Sequence, residues 1–323
     1  MDMLSRLIDL ARLQASLDLR CLLTGGFEID HAPMEAGIAP FHLVLSGACV
    51  VETAGGAQIA LHAGDFMLFP RGAAHRVRDT GCAAAAAPLT LSHDGMLPLR
   101  RNDGGDDTRH PHGERHAGAD LDLLCGRFVY APGSSALLLN ALPDPFHVSL
   151  AGKHTLGALQ TVIALMRAEA GQRQPGALTI VTALSHALFA MALRRHGEQH
   201  ASRSGVLALL ADARLGASVQ GMLSAPERAW TIAELGELAA MSRATYARHF
   251  NARAGMTVMD FLTQIRMTIA CDLLLRTQRS AAEIGEAVGY QSEAAFGKVF
   301  QHSIGVTPGR YRRQPQESDQ KAG

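Results

Sequence analysis

The sequence predicts an α+β chain. A small β-barrel with flanking helices comes first, then an all-α domain of two helix-turn-helix motifs joined by a linker helix. Three observations carry this reading. Short apolar or alternating runs broken by glycines fill residues 25–95. Two apolar helical segments follow between 153 and 196, and the final third repeats one pattern around Ser242 and again around Ser292. A chain of 323 residues also exceeds what one hydrophobic core usually serves.

Composition sets the class. Hydrophobic content of 47% with 19% charged residues describes a globular protein rather than a disordered one. Thirty Lys and Arg balance thirty Asp and Glu, so net charge points to neither nucleic acid nor membrane, and local charge must decide. Five scattered cysteines without CxxC spacing suit reduced thiols in a cytoplasmic protein. No run of about 18 apolar residues is free of charge, so no membrane span is expected. Residues 1–20 place Asp2, Arg6, Asp9 and Arg12 among apolar residues at helical spacing and lack the apolar core of a signal peptide.

The β-region comes next. FHLVLSG, ACVVET, AQIAL and DFMLFP read as short strands, with Gly37, Gly47, Gly55, Gly56, Gly64 and Gly72 marking turns. The segment GDFMLFPRGAAH, Gly64 to His75, fits G-x5-P-x-G-x2-H, the second motif of the cupins. Where that family's first motif carries H-x-H and a Glu, only His42 remains, and Glu52 is poorly placed to replace the Glu. The region thus resembles a cupin-like β-barrel that has lost most of the family's metal ligands.

Three readings of this site stay open. His42 and His75 are buried, hydrogen-bonded residues lining a ligand pocket, which is the favoured one. Alternatively they join a cysteine, Cys21 or Cys125, around zinc or another divalent metal. In the third, those thiols sense oxidation. Cys21, His42, His75 and Cys125 are therefore the effector or sensor candidates, and His42 and His75 the metal candidates, with no cofactor fixed by the sequence.

His110, His112 and His116 lie in RRNDGGDDTRHPHGERHAGAD, whose Gly, Asp and Arg content reads as a flexible loop rather than a metal site. HTLGALQTVIALMRAEA and ALTIVTALSHALFAMALRR then form two helices, the second with a stripe of Leu178, Val181, Leu184, Leu188 and Met191 suited to covering the barrel or to dimerisation. The polar run 194–205 begins a linker, and VLALLADARLGASVQGML forms a helix leading to Trp230. The expected divisions are 1–200 for sensing and dimerisation, 201–224 for the linker, 225–315 for the double motif, and a disordered tail at 316–323.

In that double motif Glu234 pairs with Glu283, Ser242 with Ser292, Tyr246 with Phe296, Phe250 with Phe300 and Gly255 with Gly305, with one residue inserted at the second turn. Ser242 and Ser292 stand at N-cap positions, and the ring pairs at i,i+4 share one buried face. What remains outward is Arg243, Ala244, Ala247 and Arg248 in one copy, and Glu293, Ala294, Gly297 and Lys298 in the other. Between them 258–276 reads as one helix about 28 Å long, suited to setting two recognition helices in successive major grooves about 34 Å apart. Residues 225–313 carry eleven Lys and Arg against eight Asp and Glu, enough for a few phosphate contacts.

Gly289, Tyr290, Ser292, Phe296, Phe300, Gly305, Thr307, Pro308, Tyr311 and Arg312 match G[FY]xSxxxFxxxFxxxxGxTPxxYR, so residues 225–313 resemble the DNA-binding domain of the AraC family of transcription regulators. Arg266 and Ala270 also fall where that family commonly has Arg and Ala. The layout upstream is similar to the cupin-type sensor domains of some of its members. The resemblance implies double-stranded promoter DNA as partner, with Arg243, Ala244, Ala247, Arg248, Glu293, Ala294 and Lys298 at the DNA. Arg248 is the expected reader of guanine, Lys298 reaches a guanine or a phosphate, and Glu293 equally suits the positive end of its helix. It further implies a homodimer, a small-molecule effector, contact with RNA polymerase, activation as the commoner mode, and a cytoplasmic location. The competing function is a cupin-fold metal enzyme with an appended helical module.

Overall fold

The computed structural model describes residues 2–81, 88–93, 97–102, 120–131, 133, 135–150, 156–172, 174–199 and 204–313. Cys82, His110, His112, His116 and the segment 316–323 lie outside these residues.

Helix α1, Met3–Ala11, starts where the Asp2 carboxylate accepts from the Ser5 amide and stops at Arg12, whose φ is 48°. The helical spacing read through residue 20 therefore ends early, and Gln14–Leu23 is strand β1. Pairing with a distant strand outweighs the local helical period there. The remaining strands are β2 (Glu28–His31), β3 (Ile38–Thr53), β4 (Gln58–His62), β5 (Asp65–Leu68), β6 (His75–Arg78), β7 (Thr90–His93), β8 (Pro98–Arg101), β9 (Leu121–Val129) and β10 (Phe146–Ser149). The four-residue helix α2, Ala136–Leu139, precedes β10.

Strand β3 is the spine of the curled sheet. FHLVLSG and ACVVET, read as two strands, are one strand of 16 residues. Its first half pairs with β9 and β5, its second half with β4 and β6. The change of partners falls at Gly47, where φ is +81° and a Cβ would sit 1.7 Å from the Asp120 carbonyl oxygen. Only glycine fits that bend. β1 joins β9 antiparallel and β8 parallel, so the sheet runs β10-β5-β3-β9-β1-β8-β7. Phe27, Ile29, Val44, Val51, Leu61, Met67, Phe69, Val77, Leu121 and Leu123 fill one barrel core. Nearby, Arg20 and Asp122 are both buried and pair through two hydrogen bonds of 3.0 and 2.9 Å.

Two helices complete this unit, α3 (Leu156–Gln172) and α4 (Ala177–Gln199). By length and composition α4 is apolar enough to cross a membrane. Its buried face is Val181, Ser185, Leu188, Phe189, Ala192 and Leu193, and it packs on the barrel: Phe189 meets Phe66 and Phe128, and His186 lies 3.3 Å from the Ala15 amide. Leu178, placed in the stripe by spacing, is exposed.

Residues 13–130 and 142–196 form this compact unit, and residues 1–12, 131–141 and 197–323 form the other. In the second, Leu7 and Leu10 of α1 and Leu137 of α2 join a core with Leu209, Val219, Met222, Trp230, Tyr246, Phe250 and Phe261. The single helix expected between 206 and 223 is two, α5 (Val206–Ala211) and α6 (Gly216–Ser224). They part at Asp212, whose extended backbone (φ −89°, ψ 100°) ends α5. Then come α7 (Ile232–Leu238), α8 (Arg243–Ala254), α9 (Val258–Arg276), α10 (Ala281–Ala287), α11 (Glu293–Ile304) and α12 (Pro308–Arg312).

The repeat is structural to the level of single hydrogen bonds. Thr231 with Glu234, and Ser280 with Glu283, form two capping boxes. Gly255 and Gly305 close α8 and α11 in left-handed geometry, and Thr257 and Thr307 cap the helices that follow. One position differs. Both turns use a left-handed residue, Gly289 in the second copy (φ +88°) but Ala240 in the first (φ 52°).

An L side chain in that region costs about 1 kcal/mol. Ala240→Gly is therefore expected to stabilise the helical unit by roughly 0.5–1 kcal/mol. Gly289→Ala places a Cβ 2.4 Å from the Glu227 carbonyl oxygen and is expected to destabilise by about 2 kcal/mol or more. Urea unfolding of the full chain, followed through Trp230, the one tryptophan in the sequence, measures both.

Candidate functional site

Two constellations stand out, a pair of exposed helix faces and a buried histidine–thiol cluster. The faces belong to α8 and α11. Ser242 accepts from the Thr245 amide and Ser292 from the Ala295 amide, fixing where each helix begins. Tyr246 and Phe250, 5.9 Å apart between ring centroids, turn into the core, as do Phe296 and Phe300 at 5.6 Å. Arg243, Ala244 and Arg248 are then exposed and Ala247 half-buried; Glu293, Ala294 and Lys298 are exposed and Gly297 half-buried. Thr245 and Ala295, which the sequence reading left out, are exposed as well.

The charges on these faces differ from several others in the unit. Arg228 is paired with Glu234, Arg266 bonds the carbonyls of Pro226 and Arg228, and Arg312 bonds those of Leu274 and Arg279. Arg243, Arg248 and Lys298 form no ion pair among the described residues. Cations left in water on a rigid helix are ready to meet an outside anion. Glu293 sits in the first turn of α11, where the helix dipole favours a carboxylate.

The second constellation lies in the barrel. Strand register puts His31 directly opposite His75 across β2 and β6, and His42 directly opposite Cys125 across β3 and β9. His42 Nδ1 is 3.2 Å from Cys125 Sγ, His42 Nε2 is 2.7 Å from His75 Nε2, and His75 Nδ1 is 2.9 Å from the Ala73 carbonyl oxygen. A carbonyl only accepts, so His75 donates from Nδ1 and accepts at Nε2. His42 then donates from Nε2, leaving Nδ1 to accept the Cys125 S–H. The direction is fixed as far as His42 Nδ1, and the Cys125 sulfur also bonds Cys21.

Burial lowers the pKa of all three imidazoles. Desolvation lowers His31 to about 4, with further lowering by His75 and Arg100. It takes His42 well below the ordinary imidazole value, aided by His31 and His75, and lowers His75 despite the bond to Ala73. A hydrogen bond with Cys21, then burial, raises the Cys125 thiol well above its usual range. The structure thus brings together Cys21, His42, His75 and Cys125, the residues singled out from sequence. It adds His31, which the sequence reading missed. The signal was the alternation of Ile29 and His31, two side chains on one face of an edge strand, continuing from Phe27 just before it.

The comparisons fit both halves. A family model described as "Cupin" matches residues 2–198, and one described as "Helix-turn-helix domain" matches 235–314. An uncharacterized HTH-type transcriptional regulator of Haemophilus influenzae is 33% identical, over 97% of this chain and 99% of that protein. The HTH-type transcriptional regulator MtrA of Neisseria gonorrhoeae is 32% identical over the same shares, 97% and 99%. A putative AraC-like transcription regulator of Streptomyces antibioticus is 31% identical over 98% of this chain and 99% of its own. The chain belongs to the AraC family. It is a DNA-binding transcription regulator with a cupin domain ahead of its helix-turn-helix domain.

In this AraC-family chain α8 is braced from behind. Asp212, buried between α5 and α6, accepts from His249 Nε2 at 2.9 Å and lies 3.2 Å from Arg253 Nε, both on α8. The Arg214 amide donates to the same carboxylate at 3.0 Å. Burial pushes the Asp212 carboxyl up, but the bonds from His249 and the Arg214 amide outweigh it and hold it below its ordinary 3.8.

A carboxylate lowered on folding stabilises above its unfolded pKa and loses that contribution as pH falls through the folded value. Asp212→Asn is therefore expected to cost about 1–3 kcal/mol at pH 7. The gap to the parent chain should narrow as pH falls below about 4. Urea unfolding across pH 3–7 checks both statements; a gap independent of pH would contradict them.

Proposed function

We propose that this regulator reads double-stranded promoter DNA with Arg243, Ala244, Ala247 and Arg248 of α8 and with Glu293, Ala294 and Lys298 of α11. The observation that carries the reading is the matched exposure of the two helix faces, each led by a cation with no internal partner. Arg248 acts as the main base reader, through paired bonds to a guanine edge. Lys298 holds a phosphate or a guanine, and the alanines leave room for thymine methyls. The linker helix α9, with 19 residues, spans about 28 Å, which suits two faces set in neighbouring major grooves.

In this reading sensing belongs to the barrel and DNA reading to residues 225–315. A small effector or chemical signal acts at the cluster of Cys21, His42, His75 and Cys125, and shifts the population of DNA-competent states. The chain works in the cytoplasm as a homodimer and activates through contact with RNA polymerase. Regulation is favoured over a cupin-type enzyme because relatives matched over 97% of this chain are described as HTH-type transcriptional regulators.

The test uses the full chain and an operator selected from random duplex DNA. Arg248→Ala is expected to lose about 1–3 kcal/mol of specific affinity and to relax the preference at one base position. Lys298→Ala is expected to weaken binding evenly across sequences and to reduce the salt slope by about one. Unchanged affinity and preference in Arg248→Ala would remove that residue from the DNA surface.

A further inference from the structure

We infer that the barrel binds one divalent transition metal of the zinc class through His31, His42 and His75, with Cys125 as the outer partner of His42. This deepens the reading of the barrel as the sensing half by naming the class of its ligand. One ring nitrogen from each of the three histidines lies within 4.8 Å of the other two. The hydrogen-bond chain described above satisfies His42 and His75 but leaves out the third ring. His31 Nε2 is buried without a hydrogen-bond partner, although its ring stacks on His75 at 4.6 Å. A buried polar atom left unpaired costs stability, and a metal ion shared with its two neighbours relieves that cost.

The donor set selects the ion. Three imidazoles and no carboxylate favour zinc and its neighbours over magnesium or calcium. His75 is already held by its outer bond to the Ala73 carbonyl, which leaves Nε2 to face the ion. His42 has the same arrangement, with Nε2 toward His75 and Nδ1 toward Cys125 Sγ. The cysteine therefore lies beyond the imidazole rather than beside the ion. Ligand nitrogens on one tetrahedral zinc are about 3.3 Å apart, so the His42–His75 pair must open from 2.7 Å and His31, half-buried at the end of an edge strand, must turn inward from its stack. Once His42 Nε2 is a ligand its proton belongs on Nδ1, and the bond to Cys125 reverses: the sulfur now accepts. Occupancy is thereby tied to the state of the Cys125 thiol and of Cys21 beside it.

The experiment uses the full chain without a histidine tag, stripped with chelator and then given zinc or cobalt(II). Metal analysis is expected to return one equivalent per chain, and the cobalt spectrum to show ligand-field bands without a sulfur-to-metal charge-transfer band. His31→Ala and His31→Gln are expected to lose stoichiometric metal while keeping the parent circular dichroism. Cys125→Ser should retain the metal about 10–100-fold more weakly. A chain with His110, His112 and His116 all changed to Ala should bind as the parent does. Less than half an equivalent in the parent, full retention in folded His31 variants, or loss in the triple variant overturns the inference. A charge-transfer band overturns it too, by placing a thiolate on the metal. Operator binding by the same preparations is read separately, so a chain that binds DNA but no metal sinks only this inference.

Discussion

Arg266 ties the two copies of the helix-turn-helix together. From the middle of α9 its Nε reaches the Pro226 carbonyl at 2.8 Å and a terminal nitrogen reaches the Arg228 carbonyl at 3.0 Å. Both carbonyls lie just ahead of the Thr231 cap that starts the first motif. The same guanidinium lies 5.5 Å from the centre of the Tyr290 ring, in the turn of the second motif. The approach is so close that a Cβ on Gly289 would sit 2.8 Å from the Arg266 side chain. One residue on the connecting helix thus fixes the entry of one motif and the turn of the other. Under the proposed reading, two faces locked to one rod meet DNA together, which removes ordering cost from binding.

Much of this was legible because the constraints are local. Helix α9 occupies 258–276 in both sequence and structure, since Thr257 caps it and no glycine or proline interrupts it. The exposed faces of α8 and α11 follow from ring pairs at i,i+4 and need no tertiary knowledge. Asp212 shows the limit. Its neighbours read as one helix, yet the carboxylate serves partners on α8 that are distant in sequence, and α5 ends so that it can. The same holds for residues 14–23, where helical spacing gives way to pairing with β9.

The histidine cluster was half legible for the same reason. His42 and His75 stand in or near recognisable motifs, whereas His31 enters only through the register of β2 against β6. Cys125 meets His42 because β9 lies beside β3, a pairing between residues 83 positions apart. Conversely, His110, His112 and His116 are conspicuous in the sequence but lie outside the described residues. Burial, not the density of histidines, is what leaves an imidazole neutral and in want of a partner.

The central claim is that α8 and α11 enter successive major grooves as one body. Hydroxyl-radical footprinting of the full chain on a selected operator tests it most directly. The account predicts, within each half-site, two protected stretches on one face of the duplex, centred about one helical turn apart. A single protected stretch in each half-site, or two on opposite faces, would contradict it.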